Sequence, residues 1–522
     1  MEQEAYDEIA REILEKGSDV QAAKAGVCRK YSLRRVPSNT DVLSSVSKEK
    51  RGLLLEVLKK KPVRTLSGVA VVAVMTSPEQ CPHGRCQYCP TGENSPQSYT
   101  GFEPAALRAK RAGFDPFIQV LDRLKQLHAN GHNVEKTELI VMGGTFPARE
   151  PLYQEWFIKR CFDAMNSFAN PHETSGENLW DAHRLNETAG VRNVGVTFET
   201  RPDYAGKRHV DDMLRLGATR IEMGVQTLRE DVYERMERGH LLQDVIDSTR
   251  IIKDSGLKLG YHMMPGLFST IPDEVEMFER LFSSLDFKPD MLKIYPVLVL
   301  EGTALYDMWL KGEFKPFTDE EAVRLIVEIK KSLPKWVRTM RIQRDIPAGL
   351  IKAGVRKGNL GELVQERLEE EGIRCRCIRC REAGLLLYKK GLRPKGLLVL
   401  DEWYQASLGK EHFISMEDVE MDLIAGYLRM RFPSHLAHRE ELAGESAVVR
   451  ELKVLGMALR IGERSPEAGQ HRGIGKTLLE RAEEIASAEG MERLLVNSAV
   501  GTREYYKKMG FERIGPYMGK TL

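Results

Sequence analysis

The chain has 522 residues, of which 42% are hydrophobic and 30% charged, and 78 Lys and Arg against 76 Asp and Glu give a net charge of +2. This composition is ordinary for globular proteins and excludes a disordered scaffold. The length excludes a single small domain and predicts about two to four domains.

The N-terminal segment, MEQEAYDEIAREILEK, has the pattern of an acidic amphipathic helix. It lacks the basic start and the apolar stretch of a secretory signal. The longest apolar run, at 66–75, is too short to span a membrane. We therefore expect a cytoplasmic protein with no membrane partner.

Basic residues cluster soon after this helix, within a predicted N-terminal helical region at 1–68. Neutralising a phosphate backbone releases counterions, so such a cluster favours nucleic-acid binding. A solvated helix face explains the same pattern equally well. The candidate RNA-binding residues are Lys24, Arg29, Lys30, Arg34 and Arg35.

Between residues 69 and 347, short β-rich runs alternate with longer helical patterns. This spacing predicts an α/β domain of six βα units, whose parallel strands curl into a partial (β/α)6 barrel of the TIM type. Active-site residues are expected on the loops at the carboxyl ends of the strands. The predicted strands are 69–76, 137–144, 193–200, 219–226, 257–266 and 291–299.

Three cysteines, Cys81, Cys86 and Cys89, directly follow the first predicted strand. In a reducing compartment, clustered cysteines bind metal more often than they form disulfides. A structural zinc needs a fourth protein ligand, and His83 is a candidate that the loop constrains. A 4Fe-4S cluster on three thiolates leaves one iron open to a substrate or cofactor. Spacing alone leaves zinc, a cluster and free thiols as alternatives.

A charged connector at 348–394 carries a second triplet, Cys375, Cys377 and Cys380. Three thiolates within six residues predict a structural zinc that clamps the connector. The sequence does not identify the fourth ligand, for which a distant His, Cys161 or water could serve.

Residues 395–522 predict a second domain of the α+β class. We expect strands at 395–403, 422–432 and 448–460, with a polar loop between the first two, and then a helix at 474–490. A glycine-rich turn before this helix presents backbone N–H groups to an anion such as a pyrophosphate, although a simple helix start also explains it. The residues of the turn are Gln470, Arg472, Gly473, Gly475 and Lys476.

The cysteine loop and the segment GGTF, on a barrel pattern, resemble the radical SAM superfamily, with one extra residue in the first cysteine gap. The resemblance implies that S-adenosylmethionine chelates the open iron, and that Gly143, Gly144 and Thr145 receive its amino group.

The second domain, ending in TREYYKKMGFERIG, resembles the GNAT acetyltransferases. That resemblance implies that the glycine-rich turn binds the acetyl-CoA pyrophosphate. Tyr505 and Tyr506 then lie near the thioester, and core packing is the alternative for one of them.

The two halves together resemble the Elongator catalytic subunit family in its archaeal form, over nearly the whole chain. The runs that carry this resemblance include RTLSGVAVVAVM, CPHGRCQYCPTG, IVMGGTFPA, IEMGVQT, LKIYPVLVLEGTALY and QHRGIGKTLLERAE. The family implies that carbon 5 of the wobble uridine of tRNA receives a carboxymethyl group. In its proposed chemistry the reduced cluster cleaves S-adenosylmethionine, and the radical formed takes hydrogen from the acetyl methyl of acetyl-CoA.

The resemblance also suggests partners and further site residues. An electron donor is expected, and a homo-oligomer or accessory subunits are possible partners besides tRNA. Lys293 and Tyr295 share one face of a predicted strand. The family places this face at the substrate cavity, with Glu199 and Gln226 contacting the bound cofactor or nucleoside. Structural ion pairing is the alternative for Lys293.

Three other functions compete with this hypothesis. A protein lysine acetyltransferase with a purely structural barrel would keep its activity without the first cysteine triplet. A non-catalytic tRNA-binding subunit would bind tRNA without cleaving S-adenosylmethionine. A radical SAM methylthiotransferase would leave the C-terminal domain without a task.

Overall fold

Four helices form the N-terminal region of the protein. The computed structural model describes residues 2–59, 62–170, 176–456 and 473–522. The first helix has the predicted amphipathic pattern, since Ala5, Ile9 and Ile13 are buried while Glu2 and Glu4 are exposed. The helices pack their apolar faces into a core of their own; they are α1 (Glu2–Lys16), α2 (Val20–Lys30), α3 (Asn39–Ser45) and α4 (Lys48–Leu58).

A parallel sheet with flanking helices follows, and it confirms the predicted α/β barrel. Apolar side chains fill the space between the strands and the helices outside them. The elements are β1 (Ala70–Met75), α5 (Pro104–Arg111), α6 (Pro116–Ala129), β2 (Lys136–Met142), α7 (Pro151–Ala169), α8 (Leu179–Asn186), β3 (Arg192–Thr200), α9 (Lys207–Arg215), β4 (Arg220–Gln226), α10 (Glu230–Arg235), α11 (Leu242–Asp254), β5 (Lys258–Met263), α12 (Ile271–Ser283), β6 (Met291–Ile294), β7 (Leu298–Leu300), α13 (Ala304–Leu310), α14 (Asp319–Ser332) and β8 (Arg338–Arg341).

The strand order in the sheet is β1-β2-β3-β4-β5-β6-β8, with every neighbouring pair parallel. The barrel is therefore partial, because β1 and β8 lie at opposite edges. Strand β8 is one strand more than the sequence predicted. All strands end on the same side, so the loops that follow them share one face of the barrel.

The predicted strand at 291–299 divides in two in the structure. Pro296 separates β6 from β7, because proline has no N–H to donate to the ladder. Strand β7 instead pairs antiparallel with β9 (Ile351–Gly354). The connector then continues as α15 (Leu360–Glu370), α16 (Ile378–Arg381) and α17 (Ala383–Lys390).

The C-terminal domain is a mixed sheet with α18 packed on one face. The strand order is β10-β11-β12-β13-β14-β16-β15, in which β13 and β14 are parallel. Its elements are β10 (Leu398–Ala406), β11 (Gly409–Asp418), β12 (Leu423–Phe432), β13 (Ser446–Val454), α18 (Ile474–Ala488), β14 (Arg493–Val496), α19 (Arg503–Lys507), β15 (Glu512–Ile514) and β16 (Tyr517–Thr521).

The prediction of a polar loop before β12 was wrong, because this segment contains β11. Its polar residues are buried rather than solvated. Glu411 accepts hydrogen bonds from Arg450, and Asp418 accepts one from the backbone of Lys395 at 2.7 Å. These partners lie far along the chain or outside the strand. The local sequence therefore shows only charged residues, a pattern that is typical of an exposed loop.

A buried ionic cluster joins the second domain to the amino ends of the barrel strands. Asp290, just before β6, accepts two hydrogen bonds of 2.7 Å from Arg450 of β13. Asp254, at the end of α11, accepts bonds of 2.9 and 2.7 Å from Arg431 of β12. Burial would raise the pKa of Asp290, but the charge of Arg450 holds it far below its usual range. The second domain thus covers the end of the barrel opposite the cysteine loop.

Candidate active site

A cavity of 190 Å³ opens at the carboxyl ends of the barrel strands, and we call it the upper cavity. The loop after β1, the turn after β2 and the ends of β3 to β6 surround it. The structure brings together here the predicted site residues Cys81, Cys86, Cys89, Gly144, Thr145, Glu199, Gln226, Lys293 and Tyr295.

The three cysteines converge on the upper cavity from one loop. Arg238 donates a hydrogen bond of 3.5 Å to Cys86 Sγ, and His83 Nε2 lies 3.2 Å from the same sulfur. Ser98 Oγ lies 3.3 Å from Cys89 Sγ. The Arg238 guanidinium offsets the negative charge of a thiolate-bound iron site. This donor set fits a 4Fe-4S cluster with three protein thiolates.

Glycine is required in the turn after β2. Gly143 has φ +128°, and a Cβ added there would lie 2.0 Å from Thr76 Oγ1. Gly144 has φ +87°, which also favours glycine. The turn brings the Thr145 hydroxyl to 3.9 Å from Cys81 Sγ. A ligand at the cysteines can therefore contact the backbone of this turn.

Besides the Tyr88 hydroxyl, four polar atoms around the upper cavity are buried without a hydrogen-bond partner among the described residues. They combine donors and acceptors, as a zwitterionic ligand with amino and carboxylate groups requires. A bound polar ligand would satisfy them, which supports the fit of S-adenosylmethionine to this cavity. The atoms are His83 Nδ1, Arg201 Nη1, Gln226 Oε1 and Arg238 Nε.

Lys293 lies between two carboxylates on the floor of the upper cavity. Its ammonium donates to Glu199 Oε1 at 3.2 Å and forms an ion pair with Glu222. His262 Nε2 lies 2.9 Å from Glu222, and Tyr99 donates to Glu199 at 2.9 Å. Burial would lower the pKa of Lys293, but the neighbouring carboxylates raise it above its ordinary value. Lys293 is thus an ammonium ion that occupies the place where these acidic side chains could otherwise hold a metal.

A second cavity, of 610 Å³, lies between the barrel and the C-terminal domain, and we call it the lower cavity. Gly473 and Gly475 line it at the start of α18, where backbone N–H groups favour anions. Gly473 has φ +85°, and a Cβ on Gly475 would lie 3.0 Å from the Tyr505 hydroxyl. Lys476 also lines the cavity. Gln470 and Arg472 lie outside the described residues.

The two predicted tyrosines differ in their surroundings. Tyr505 is 39% exposed and its hydroxyl faces Gly475. Tyr506 is buried against Phe511 in the core of the C-terminal domain, and its ring meets that of Tyr505 edge-on. Both line the lower cavity, but Tyr505 is the one whose hydroxyl a ligand at the glycine-rich turn would meet.

The second triplet is compact, because the sulfurs of Cys375, Cys377 and Cys380 all lie within 4.8 Å of one another. Lys330 donates to Cys380 Sγ at 3.5 Å, and Thr339 donates to Cys377 Sγ at 3.6 Å. Among the described residues no fourth His, Cys, Asp or Glu joins this group. The arrangement can hold a metal ion through three thiolates.

The predicted RNA-binding residues do not share one environment, and Lys24 requires a correction. Lys24 is 2% exposed and its ammonium bonds to Asn39 inside the N-terminal core, so it cannot face a nucleic acid. Arg29 and Arg34 are exposed. Lys30 is exposed and pairs with Glu8 at 2.6 Å, and exposed Arg35 pairs with Asp41 at 3.2 Å.

Models of known families match four segments of the chain. They are the ELP3 N-terminal domain (2–66), the radical SAM superfamily (75–282), the radical SAM C-terminal domain (289–370) and the acetyltransferase (GNAT) domain (466–520). The chain is 50% identical to a tRNA uridine(34) acetyltransferase of Methanocaldococcus jannaschii, across 93% of this chain and 90% of that protein. The chain belongs to the Elongator protein 3 family.

Other relatives agree with this assignment to the Elongator protein 3 family. The human Elongator complex protein 3 is 42% identical, across 97% of this chain and 94% of that protein. The solved structure of Methanocaldococcus infernus Elp3 with an N-terminal deletion superposes with a TM-score of 0.78 at 46% identity, covering 88% of this chain and all of that one. No helix among the described residues has the length and apolar character needed to cross a membrane.

Several residues of the upper cavity were missed by the sequence analysis. Glu222 lies four residues before Gln226 on β4, and the period of two would have placed both on one face. Arg201 lies in the segment ETRPD, directly after the end of β3. Tyr99 and Arg238 lie on loops that no local pattern connects to the site. The missed residues are Tyr99, Arg201, Glu222, Arg238 and His262.

Proposed function

We propose that this protein modifies the wobble uridine of tRNA, adding a carboxymethyl group derived from acetyl-CoA at carbon 5 of the base. The observation that carries the proposal is the pair of cavities on one barrel. The upper cavity has a cluster-type cysteine set, and the lower cavity has an anion-binding helix start. A protein with 50% identity over most of this chain is named for acetyl transfer to tRNA uridine 34.

In the upper cavity, Cys81, Cys86 and Cys89 are the proposed ligands of the cluster. If a 4Fe-4S cluster is bound there, it would supply the electron for the reductive cleavage of S-adenosylmethionine. An external donor would have to reduce the cluster first. Arg201, Arg238 and Gln226 line the cavity and have polar atoms without a partner among the described residues, so we assign them to bind and orient the polar groups of the cofactor. The buried walls exclude water from the reacting atoms.

Lys293 is the proposed catalytic cation for the base. Because its ammonium is held between Glu199 and Glu222, it acts as a hydrogen-bond donor and not as a general base. A carbonyl oxygen of uracil directed at Lys293 would accept a hydrogen bond from the ammonium, which would hold carbon 5 of the base in position for the addition. Tyr295 shares the strand face of Lys293, and we propose that it positions the base.

Acetyl-CoA is the proposed ligand of the lower cavity. The backbone at Gly473 and Gly475 binds its pyrophosphate, and basic side chains on the barrel side supply positive charge. Tyr505 then lies beside the pantetheine arm, near the thioester. We include Gln470 and Arg472 in this set from their place in the glycine-rich turn, although they lie outside the described residues.

The exposed basic residues of the N-terminal helices are the proposed tRNA contacts, and Lys24 is left out of the set. Arg29, Lys30, Arg34 and Arg35 would neutralise phosphates of the anticodon stem. Replacing any one by alanine should weaken binding a few-fold and reduce the salt dependence by about one counterion. The predicted division at 1–68, 69–347, 348–394 and 395–522 serves as the working plan for truncated variants.

We propose zinc as the ion of the second triplet. Three thiolates whose sulfurs lie within 4.8 Å of one another suit a tetrahedral ion, and water can complete the site. Cys161 is not the fourth ligand, because it lies in the apolar core of the barrel on α7. The buried Lys330 ammonium compensates part of the thiolate charge.

The decisive experiment is an anaerobic assay of the reconstituted, reduced protein with S-adenosylmethionine, acetyl-CoA and bulk tRNA. Mass spectrometry follows 5'-deoxyadenosine and the tRNA nucleosides. We expect both 5'-deoxyadenosine and carboxymethyluridine, and their joint loss in Cys86→Ala. Cys28→Ala is the matched control, because Cys28 lies on α2 far from both cavities.

Two outcomes would overturn the proposal in favour of a rival. Acetylation of a lysine peptide that survives Cys86→Ala, without any 5'-deoxyadenosine, would identify a protein acetyltransferase with a structural barrel. Binding of tRNA without cleavage of S-adenosylmethionine under reducing conditions would identify a non-catalytic tRNA-binding subunit.

A further inference from the structure

The upper and lower cavities face each other through the lumen of the barrel. On each of four neighbouring strands, one inward-facing residue lines the lower cavity and a residue two or four positions later lines the upper cavity. Side chains two apart on a strand point to the same face. The pairs are Glu138 and Met142 on β2, Gly195 and Glu199 on β3, Arg220 and Glu222 on β4, and Lys258 and His262 on β5.

The partition between the cavities is one ion pair thick. Arg220 lines the lower cavity, Glu222 lines the upper cavity, and Arg220 Nε donates to Glu222 Oε1 at 3.0 Å. From Gly195 to Glu199 the strand advances about 13 Å, at roughly 3.3 Å per residue. The two cavities are therefore close enough for one extended ligand to reach both.

An ordinary TIM-type barrel is closed by stacked layers of branched apolar side chains, whereas two of the inward positions between these cavities carry small residues. Between the two cavities the inward positions carry Thr197 on β3 and Gly260 on β5. Thr197 is fully buried, and its hydroxyl has no hydrogen-bond partner among the described residues. Ile140 of β2 is only half-buried although it lies on a central strand. Thr197 thus offers an unused polar group in the wall of the lumen.

Arg220 can leave the partition without stranding a buried charge. It also pairs with Glu138 Oε1 at 2.5 Å, at the lower cavity. If Arg220 turns toward Glu138, Glu222 keeps its ion pair with Lys293 and its hydrogen bond with His262. Breaking a buried ion pair is usually unfavourable because it leaves one charge unpaired. This cost is avoided here, because Glu222 remains paired.

We propose that the barrel lumen is the passage through which the acyl end of a coenzyme A thioester moves from the lower to the upper cavity, with Arg220 as its gate. This inference rests on the proposed function, in which the thioester and the cysteine site serve one reaction. A pantetheine arm is long, narrow and flexible, and its nucleotide end stays at α18. The Thr197 hydroxyl, beside Arg220 in the strand register, supplies a hydrogen bond to the thioester carbonyl as it passes.

The passage is tested by covalent capture in Thr197→Cys, using bromoacetyl-CoA as the probe with the full-length, cluster-loaded protein. The introduced sulfur displaces bromide from the acyl methylene carbon, and peptide mass mapping locates the adduct. Val196→Cys is the matched control, because Val196 is fully buried on the opposite face of β3. Binding of the nucleotide end at α18 should raise the local concentration of the reactive group. Bromoacetyl-CoA should therefore label Thr197→Cys at least about 10-fold faster than bromoacetamide labels it, and faster than bromoacetyl-CoA labels Val196→Cys. Acetyl-CoA should protect the thiol introduced in Thr197→Cys.

Folded Thr197→Cys that stays unlabelled, or that bromoacetamide labels equally fast without protection by acetyl-CoA, would overturn the passage.

A second pair of variants tests the passage by measuring tRNA modification. Thr197→Met narrows the lumen and should abolish tRNA modification, while 5'-deoxyadenosine formation and acetyl-CoA binding persist. Thr197→Val keeps the width and should modify tRNA. Full tRNA modification by Thr197→Met would contradict the passage and leave the proposed function intact. If bromoacetyl-CoA labels Thr197→Cys but the unaltered protein does not modify tRNA, only the proposed function is contradicted.

Discussion

The two cysteine triplets contain the same side chains at similar spacing, but their surroundings differ. The sulfurs of the first triplet have separate neighbours, which are Thr145, Arg238 and Ser98, around an open cavity. The sulfurs of the second triplet lie within 4.8 Å of one another beside α14 and β8. The first arrangement leaves room for a large cluster and a further ligand, and the second is suited to one small ion.

A positive charge beside the sulfurs does not distinguish the two sites. Arg238 lies 3.5 Å from Cys86 Sγ, and Lys330 lies 3.5 Å from Cys380 Sγ. Buried polar atoms without partners among the described residues do not distinguish them either, since Arg338 on β8 and Arg381 beside Cys380 each have one. At the first triplet, Arg201, Gln226 and Arg238 keep buried atoms without partners among the described residues, as expected where a ligand completes the site. At the first triplet these residues line an open cavity, and this cavity is the feature that separates the two sites.

The largest expected effect is on activity, from Cys89→Ala in the first triplet. The variant should lose cluster absorbance, and 5'-deoxyadenosine formation should fall to the level of cluster-free protein. Its melting temperature should change little, because removing one small thiol costs less than about 2 kcal/mol. A variant that retains catalysis would show that this triplet does not hold the reactive cluster.

The matched change in the second triplet is Cys377→Ala, and it should affect stability first. We expect loss of bound zinc and a decrease of roughly 3 to 5 kcal/mol in the free energy of unfolding. Metal analysis and thermal melting of purified protein measure both quantities. Chelation of zinc from the unaltered protein should reproduce the decrease, while the cluster absorbance of the first site remains. Unchanged stability after complete chelation contradicts a structural metal.

Sequence patterns identified most of the fold, because barrel strands are apolar runs that alternate with amphipathic helices. The failures share one cause. Strand β11 was taken for a loop because Glu411 and Glu417 are buried in ion pairs with residues distant in sequence. The added strand β8 and the pairing of β7 with β9 depend on tertiary contacts, which no local window contains.

For the site, the sequence identified groups held on one loop or one strand, such as the cysteine loop and the Lys293 strand. It could not identify Tyr99, Arg201 or Arg238 as members of the site, because their loops meet the cavity only after the barrel closes. The sequence also predicted Lys24 as an RNA contact, because a cluster of basic residues does not show which lysine side chain is buried in the core.

A smaller effect is expected at the cation beside the closed triplet. Lys330→Met removes the ammonium that bonds Cys380, and it should lower the free energy of unfolding by about 2 kcal/mol, the range of a hydrogen bond to a charged group. Zinc affinity should also fall, because the thiolate charge is no longer compensated. Lys331→Met is the control on the same helix. Its exposed pair with Glu328 should contribute little to the free energy of unfolding, because water and salt screen the two charges.

The smallest effect is expected from His83→Ala, and it separates the two metals at the first triplet. His83 Nε2 lies 3.2 Å from Cys86 Sγ, so an imidazole is within reach as a fourth zinc ligand. If the triplet binds a 4Fe-4S cluster, the open iron belongs to the cofactor and His83 is dispensable. The variant should then keep its iron content and lose less than about tenfold in 5'-deoxyadenosine formation. Loss of all metal in His83→Ala, together with zinc in the unaltered protein, would instead make the two triplets alike and remove the physical basis for a radical site.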